Sequence, residues 1–131
     1  MTNKPDIKTE GPVRVCVPTM GNNGLDERVS EHFGRALTFT IVDLSTNDVK
    51  VVPNTSEHLG GVGKPPEIIA SVGADVMLCS GLGPRAVQMF ELQGVEVFVG
   101  ARGTVRDAIR TWKEGGLQEA TDANVCRMHR H

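Results

Sequence analysis

The stretch Val72-Gly73-Ala74-Asp75-Val76-Met77-Leu78-Cys79-Ser80-Gly81-Leu82-Gly83-Pro84-Arg85-Ala86-Val87 decides the fold class. Asp75 to Cys79 is a mostly apolar run of strand length, with Gly73 before it and a glycine-rich turn after it. Pro84 opens a helix, where its fixed backbone angle suits the first turn. Ala86, Val87, Met89 and Phe90 supply inward positions until Gly94 stops that helix. The same grammar returns at once. Val95 to Val99 predicts a strand, and Thr104 caps a helix with Asp107 three residues on. Val105, Ala108, Ile109 and Trp112 form one face of it. Arg106, Arg110 and Lys113 fall elsewhere and read as a solvated surface rather than an anion-binding stripe. The αβ junctions at Gly73 and Gly94 resemble each other but are too short for a repeat.

Toward the N-terminus, Val13 to Val17 is a β-branched run ended by Pro18 and the turn residues Gly21 to Gly24. Leu37 to Leu44 and Val49 to Val52 are two further strands, joined by Ser45-Thr46-Asn47-Asp48 as a hairpin. A loop with Gly60, Gly61 and Gly63 leads to Pro65-Pro66-Glu67, a helix start followed by Ile68, Ile69 and Val72 on one face. The order βββαβαβα implies an α/β fold: a mixed five-stranded sheet with helices on its faces.

A chain of 131 residues is one domain, long enough to bury a core unaided. We expect a flexible polar lead over residues 1–12, the domain over 13–120 and a flexible Cys/His-containing tail over 121–131. No apolar run approaches the ~20 residues of a membrane helix. Met1 to Gly11 lacks the apolar centre of a signal peptide, so a cytoplasmic location is expected. A net charge of −2 gives no footprint for nucleic acid or an anionic membrane, and neither is expected as a partner. With no tyrosine and one tryptophan, a stacking platform for single strands is hard to build. Cys16, Cys79 and Cys126 are distant and odd in number, which is not a disulfide framework.

If the first, third, fourth and fifth strands are parallel, four loops emerge at one sheet edge. They are the loop holding His32, the glycine loop with His58, the turn from Cys79 to Pro84, and Gly100 to Thr104. Ligands in open α/β sheets favour this carboxyl edge. Helix N-termini near Pro84 and Thr104 would aim backbone N–H groups there, which suits an anion. His32 lies between charged residues and a turn-forming glycine, where a metal-ligating or proton-shuttling imidazole is favoured over a surface histidine bonding to backbone. His58 is a weaker candidate. Cys79 is open between core filler and site thiol, whereas Cys16, among valines, belongs to the core. Cys126, Met128, His129 and His131 form a dense set of soft or borderline ligands, although a plain disordered tail explains them equally well.

Catalytic motifs are missing from the sequence. There is no Gly-x-Ser-x-Gly elbow and no phosphate loop with its lysine. Gly81-Leu82-Gly83-Pro84-Arg85-Ala86 begins like a dinucleotide fingerprint, but proline and arginine break the spacing. A two-metal nuclease would need carboxylates where the first strand has Val15, Cys16 and Val17. No enzymatic activity is expected.

The chain resembles the dinitrogenase iron–molybdenum cofactor biosynthesis family from about Val13 to Ala120. The resemblance rests on His32-Phe33-Gly34-Arg35-Ala36, on Asn54 with the Gly60-Gly61 loop, on Gly81 to Ala86, and on Gly103 to Ala108 with Gly116-Leu117. It implies a ribonuclease H-like fold without nuclease activity and non-catalytic binding of a metal–sulfur cluster. It also implies that His32 is the cluster ligand. Relatives often carry Asp two residues before this histidine, where this chain has Ser30. One branch, the orange proteins, holds a molybdenum–copper sulfide cluster. Such an anion would suit backbone N–H groups with Arg28, Arg35 or Arg85.

The sequence therefore points to carriage or assembly of a molybdenum-containing metal–sulfur cluster, of Mo–Cu sulfide or Fe–Mo type. The cluster-binding candidates are His32, Arg28, Phe33, Gly34, Arg35, His58, Gly60, Gly61, Cys79, Gly81, Gly83 and Arg85. Cys126, His129 and His131 are candidates for an accessory metal site. Other cluster-assembly or redox proteins are the expected partners. The alternative is a regulatory or adaptor protein of a redox or assembly complex, with no cluster of its own.

Overall fold

A computed structural model describes residues 13–54, 69 and 72–121. The strands are β1 (Arg14–Thr19), β2 (Thr38–Asp43), β3 (Asp48–Pro53), β4 (Val76–Cys79), β5 (Glu96–Val99) and β6 (Gln118–Ala120). Two helices, α1 (Pro84–Leu92) and α2 (Val105–Lys113), follow β4 and β5. The strands form one mixed sheet in the order β3-β2-β1-β4-β5-β6. β1, β4 and β5 are mutually parallel, β2 opposes β1, β3 opposes β2, and β6 opposes β5.

Both faces of β1 are covered, so it reads as a nearly continuous apolar run, as central strands do. Cys16 faces a core with Phe39, Ile41, Met77, Val97 and the inward side chains of α1, Val87 and Phe90. Val15 and Val17 face the other core, with Val42, Val76, Leu78 and the inward side chains of α2, Val105, Ala108 and Ile109. Phe98 leans on Trp112 beneath α2, with ring centroids 5.9 Å apart.

Among the described residues the sheet has six strands rather than five. β6 escapes the sequence because it is three residues long and only Ala120 is buried, which leaves no alternation to read. A second correction concerns Pro18, which does not end β1. The strand runs on to Thr19: β4 pairs only with Val15 and Cys16, and beyond them the flank is taken by the 28–30 segment, which asks of Pro18 only its carbonyl, an acceptor for Ser30 N–H. There a residue without an N–H is tolerated. Gly94 follows Gln93, the C-cap of α1, with φ +78°, the left-handed conformation that favours glycine just past a helix end.

Of the expected third helix, only Ile69 and Val72 are described; Ile69 is helical and fully buried in the α1-side core. The N-terminal lead, the tail beyond Thr121, and His58, Gly60, Gly61, Cys126, His129 and His131 lie outside the described residues. Among the described residues, no helix is long and apolar enough to cross a membrane.

Candidate functional site

The loop leaving β1 is built from buried polar anchors. Thr19 and Thr40 are fully buried, and their hydroxyls lie 2.9 Å apart. Thr38 lies 2.7 Å from Thr19 and donates to the carbonyl of Gly21 at 2.6 Å. Glu27 is buried at 7% exposure, its carboxylate accepting the N–H groups of Asn23 (3.1 Å) and Arg28 (2.9 Å). Burying a carboxylate is costly unless such donors meet it. The backbone is then tied on two sides: Val29 N–H to Gly103 O (2.8 Å) and Val105 N–H to Glu27 O (2.9 Å) toward α2, and Ser30 N–H to Pro18 O (2.8 Å) toward β1.

These ties deliver Ser30, buried at 3%, to the start of the His32 turn. Its hydroxyl accepts the N–H of His32 at 3.3 Å and donates to the His32 carbonyl at 3.0 Å. Phe33 follows and inserts its ring between Phe39 (centroids 5.8 Å) and Phe90 (5.7 Å, edge-on). A 3-10 turn over Phe33–Arg35 closes the segment. His32 precedes that turn and is exposed; among the described residues its imidazole makes no hydrogen bond.

The His32 turn forms one wall of a cavity of about 570 Å³. Glu31, His32, Phe33 and Gly34 line this side; Ser80, Gly81, Leu82, Gly83, Ala86 and Val99 line the other. Ser80 fastens the two walls: its hydroxyl donates to Ala101 O at 2.9 Å and lies 3.4 Å from Ser30 O. Gly83 is the N-cap of α1 and offers no capping side chain, and Pro84 occupies the first turn. The first N–H groups of the helix, with Ala86 in the cavity wall, are therefore free of intrahelical acceptors.

Three glycines define what the cavity accepts. A Cβ added to Gly34, Gly81 or Gly83 would meet no atom within 4 Å, and none of the three has a positive φ. The protein itself has no steric need for glycine there. A group seated against that backbone would have clearance there.

The N-terminus of α2 contributes differently from the expectation. A capping box closes it: Thr104 Oγ1 accepts from Asp107 N–H and Asp107 Oδ2 accepts from Thr104 N–H, both at 3.1 Å. The N–H groups of Thr104 and Asp107 are spent on this cap and that of Val105 on Glu27 O, and Gly100 to Thr104 do not line the cavity. Hydrogen bonding to Thr104 holds the Asp107 carboxyl below its usual range.

Cys79 sits in the α1-side core at 1% exposure, its Sγ 3.7 Å from Phe98 O, and is not in the cavity wall. Burial pushes its thiol up to about 12 and raises that of Cys16 further still, so both are neutral. Arg28, Arg35 and Arg85 are exposed and lie outside the lining, with Arg28 bridged through its backbone to Thr104. The structure thus brings together His32, Phe33, Gly34, Gly81 and Gly83. It adds Glu31, Ser80, Leu82, Ala86 and Val99, which sequence reasoning missed. Ser80 had one signal, its place directly after a parallel strand. Among the described residues, no three His, Cys, Asp or Glu side chains converge to hold a bare metal ion.

The cavity is thus shallow and glycine-walled, with one imidazole at its rim, and lies at the carboxyl ends of parallel strands, where open α/β sheets place their ligands. The chain belongs to the dinitrogenase iron-molybdenum cofactor family, whose model matches residues 13–115. It is similar to the apo form of the orange protein from Desulfovibrio gigas, at 30% identity and a TM-score of 0.71, over 82% of this chain and 92% of that one. It is also similar to the NMR structure of the Thermotoga protein TM1290, at 29% identity and a TM-score of 0.66, over the same two shares. The uncharacterized protein MJ0580 of Methanocaldococcus jannaschii is 28% identical over 112 residues, covering 82% of this chain and 91% of that protein.

Proposed function

We propose that this protein binds and carries an anionic molybdenum-containing metal–sulfur cluster, of Mo–Cu sulfide or Fe–Mo type, without transforming it. The observation that carries this reading is the set of glycines at 34, 81 and 83, bare toward the cavity for no internal steric reason. A compact inorganic anion approaching the backbone would use that clearance, and the uncapped start of α1 would supply N–H donors to its sulfides. His32, already oriented by Ser30, serves as ligand or hydrogen-bond donor to the cluster. Held mainly by backbone donors and one imidazole, the cluster is a transferable cargo, which is what a carrier or assembly protein requires. Buried, neutral thiols at Cys16 and Cys79 accord with a cluster held without either of these two cysteines.

The same reading carries a ribonuclease H-like class, supported by the order β3-β2-β1-β4-β5, in which β2 alone of those five strands is reversed. Handover of the cargo to other assembly or redox proteins belongs to this reading, as does a non-enzymatic role.

The test is the visible spectrum and metal content of protein purified anaerobically from its native host. Visible bands with molybdenum, and copper or iron, near one cluster per chain support the carrier. Colourless protein free of these metals contradicts it and favours an adaptor without a cluster.

A further inference from the structure

The sheet's other face holds a second cavity of about 560 Å³, lined by Leu25, Val42, Leu44, Asn47, Arg106, Ile109, Arg110, Lys113 and Glu114. It lies between the β2–β3 hairpin, the 3-10 turn Gly24–Asp26 and α2, against the α2-side core rather than the α1-side core of the cargo site. Its floor is apolar: Val42 and Ile109 are buried, while Leu25 and Leu44 are half-buried. Its rim presents three cations, Arg106, Arg110 and Lys113, at helical spacing on one side of α2, beside Glu114 and the two carboxylates, Asp26 and Asp107, that pair the arginines. Among the described residues the two arginines form only exposed ion pairs, Arg106 with Asp26 at 3.2 Å and Arg110 with Asp107 at 3.0 Å. Exposed pairs of this kind are weak, so these guanidiniums remain available to another anion.

We propose that this cavity is a second binding site, for a small amphipathic organic anion: an aromatic or alkyl body on the Leu25–Val42–Leu44–Ile109 floor, with a carboxylate or sulfonate at the Arg110–Lys113 rim. The volume is that of a small-molecule pocket, and the lining has the expected form, mostly apolar with a few convergent charges. An inorganic cluster would leave the apolar floor unmatched. A neutral hydrocarbon would leave Arg110 and Lys113 unmatched. The inference is independent of the cargo reading, since the two cavities share no lining residue.

The experiment titrates the protein with 8-anilinonaphthalene-1-sulfonate and with its uncharged counterpart N-phenyl-1-naphthylamine, reading fluorescence and methyl and amide NMR shifts. One saturable sulfonate site is expected, at least tenfold tighter than the neutral dye, with shifts at Leu25, Val42, Leu44 and Ile109. The double variant Arg110→Glu/Lys113→Glu alters exposed side chains only and should abolish that tenfold preference. Leu44→Trp, filling the cavity, should weaken both dyes at least tenfold, with unchanged amide dispersion as the fold control. Equal affinity for the two dyes overturns the proposal, as do shifts confined to Glu31–Gly34 and Ser80–Gly83. Absence of saturable binding also overturns it, and leaves an acidic segment of a partner protein as the occupant to test.

Discussion

Ser30 and His32 clasp one another through the backbone: the Ser30 hydroxyl accepts the His32 N–H and donates to the His32 carbonyl. The serine fixes the direction in which the imidazole leaves the chain while the ring itself stays free of intraprotein hydrogen bonds among the described residues. Replacing Ser30 with alanine removes both bonds at a buried position. The expected cost is about 1–2 kcal/mol of stability, read by denaturant unfolding, together with weaker cluster retention. Retention equal to wild type would mean that the clasp has no part in positioning His32.

Gly81→Ala separates folding from loading. With an ordinary φ and open space around its Cβ, the alanine should leave the fold unchanged or stabilise it by about 0.4–1 kcal/mol. Cluster uptake should nevertheless fall at least tenfold, because the methyl group occupies the approach to the backbone. Parallel thermal melts and metal-uptake titrations check both halves of this expectation.

Phe33 anchors the His32 wall to both β2 and α1 through Phe39 and Phe90. Phe33→Ala should cost about 2–4 kcal/mol, at or below the range for a fully buried ring because this one is half-buried. Phe33→Leu should recover most of that loss. Unfolding curves of the two variants provide the check.

The fold class was legible because its signals are local. Strand, glycine turn and helix around Asp75–Gly94 each carry their own punctuation, and β1 announces its burial by the unbroken apolar run Val15 to Pro18. The His32 and Gly81–Gly83 walls were legible because topology alone puts the carboxyl ends of β1 and β4 together. Other features depend on partners distant in the chain. Glu27 reads as one more charge in a polar loop, and only its backbone donors reveal a buried anchor. Thr104 reads as a helix cap and as an open anion site at once, and the reciprocal bond from Asp107 decides for the cap. Cys79 could face core or site until the register of β4 turned it inward. Leu25 and Arg106 gave no hint of a shared cavity because 80 residues separate the Asp26–Arg106 pair beside it.

The cap at Asp107 gives a pH dependence with a definite sign. Its carboxyl is held below the ordinary range chiefly by the Thr104 backbone N–H and hydroxyl, with Arg110 adding to this. A depressed folded-state value means the contribution is present above the unfolded value, near pH 4, and is lost as pH falls through the folded one. Thr104→Ala should lower stability by about 1 kcal/mol at neutral pH. Asp107→Asn should flatten the loss of stability below pH 4, seen in urea midpoints across an acid series. An unchanged acid limb would show that the cap does not titrate with folding.

The buried thiols make a further expectation. At pH 8, Cys16 and Cys79 should resist alkylation in the native protein and react fully in denaturant, as mapped by peptide mass spectrometry. Native-state labelling at Cys79 would mean that its strand opens toward the His32–Gly81 cavity.

The most direct test of the central claim is anaerobic loading with tetrathiomolybdate and copper(I), comparing wild type, His32→Ala and Gly81→Val by visible absorption and bound molybdenum after desalting. Wild type should retain near one cluster per chain, with both variants folded and at least tenfold poorer in molybdenum. Equal loading of all three proteins would contradict the account, because the cluster would then be held by neither the imidazole nor the glycine wall.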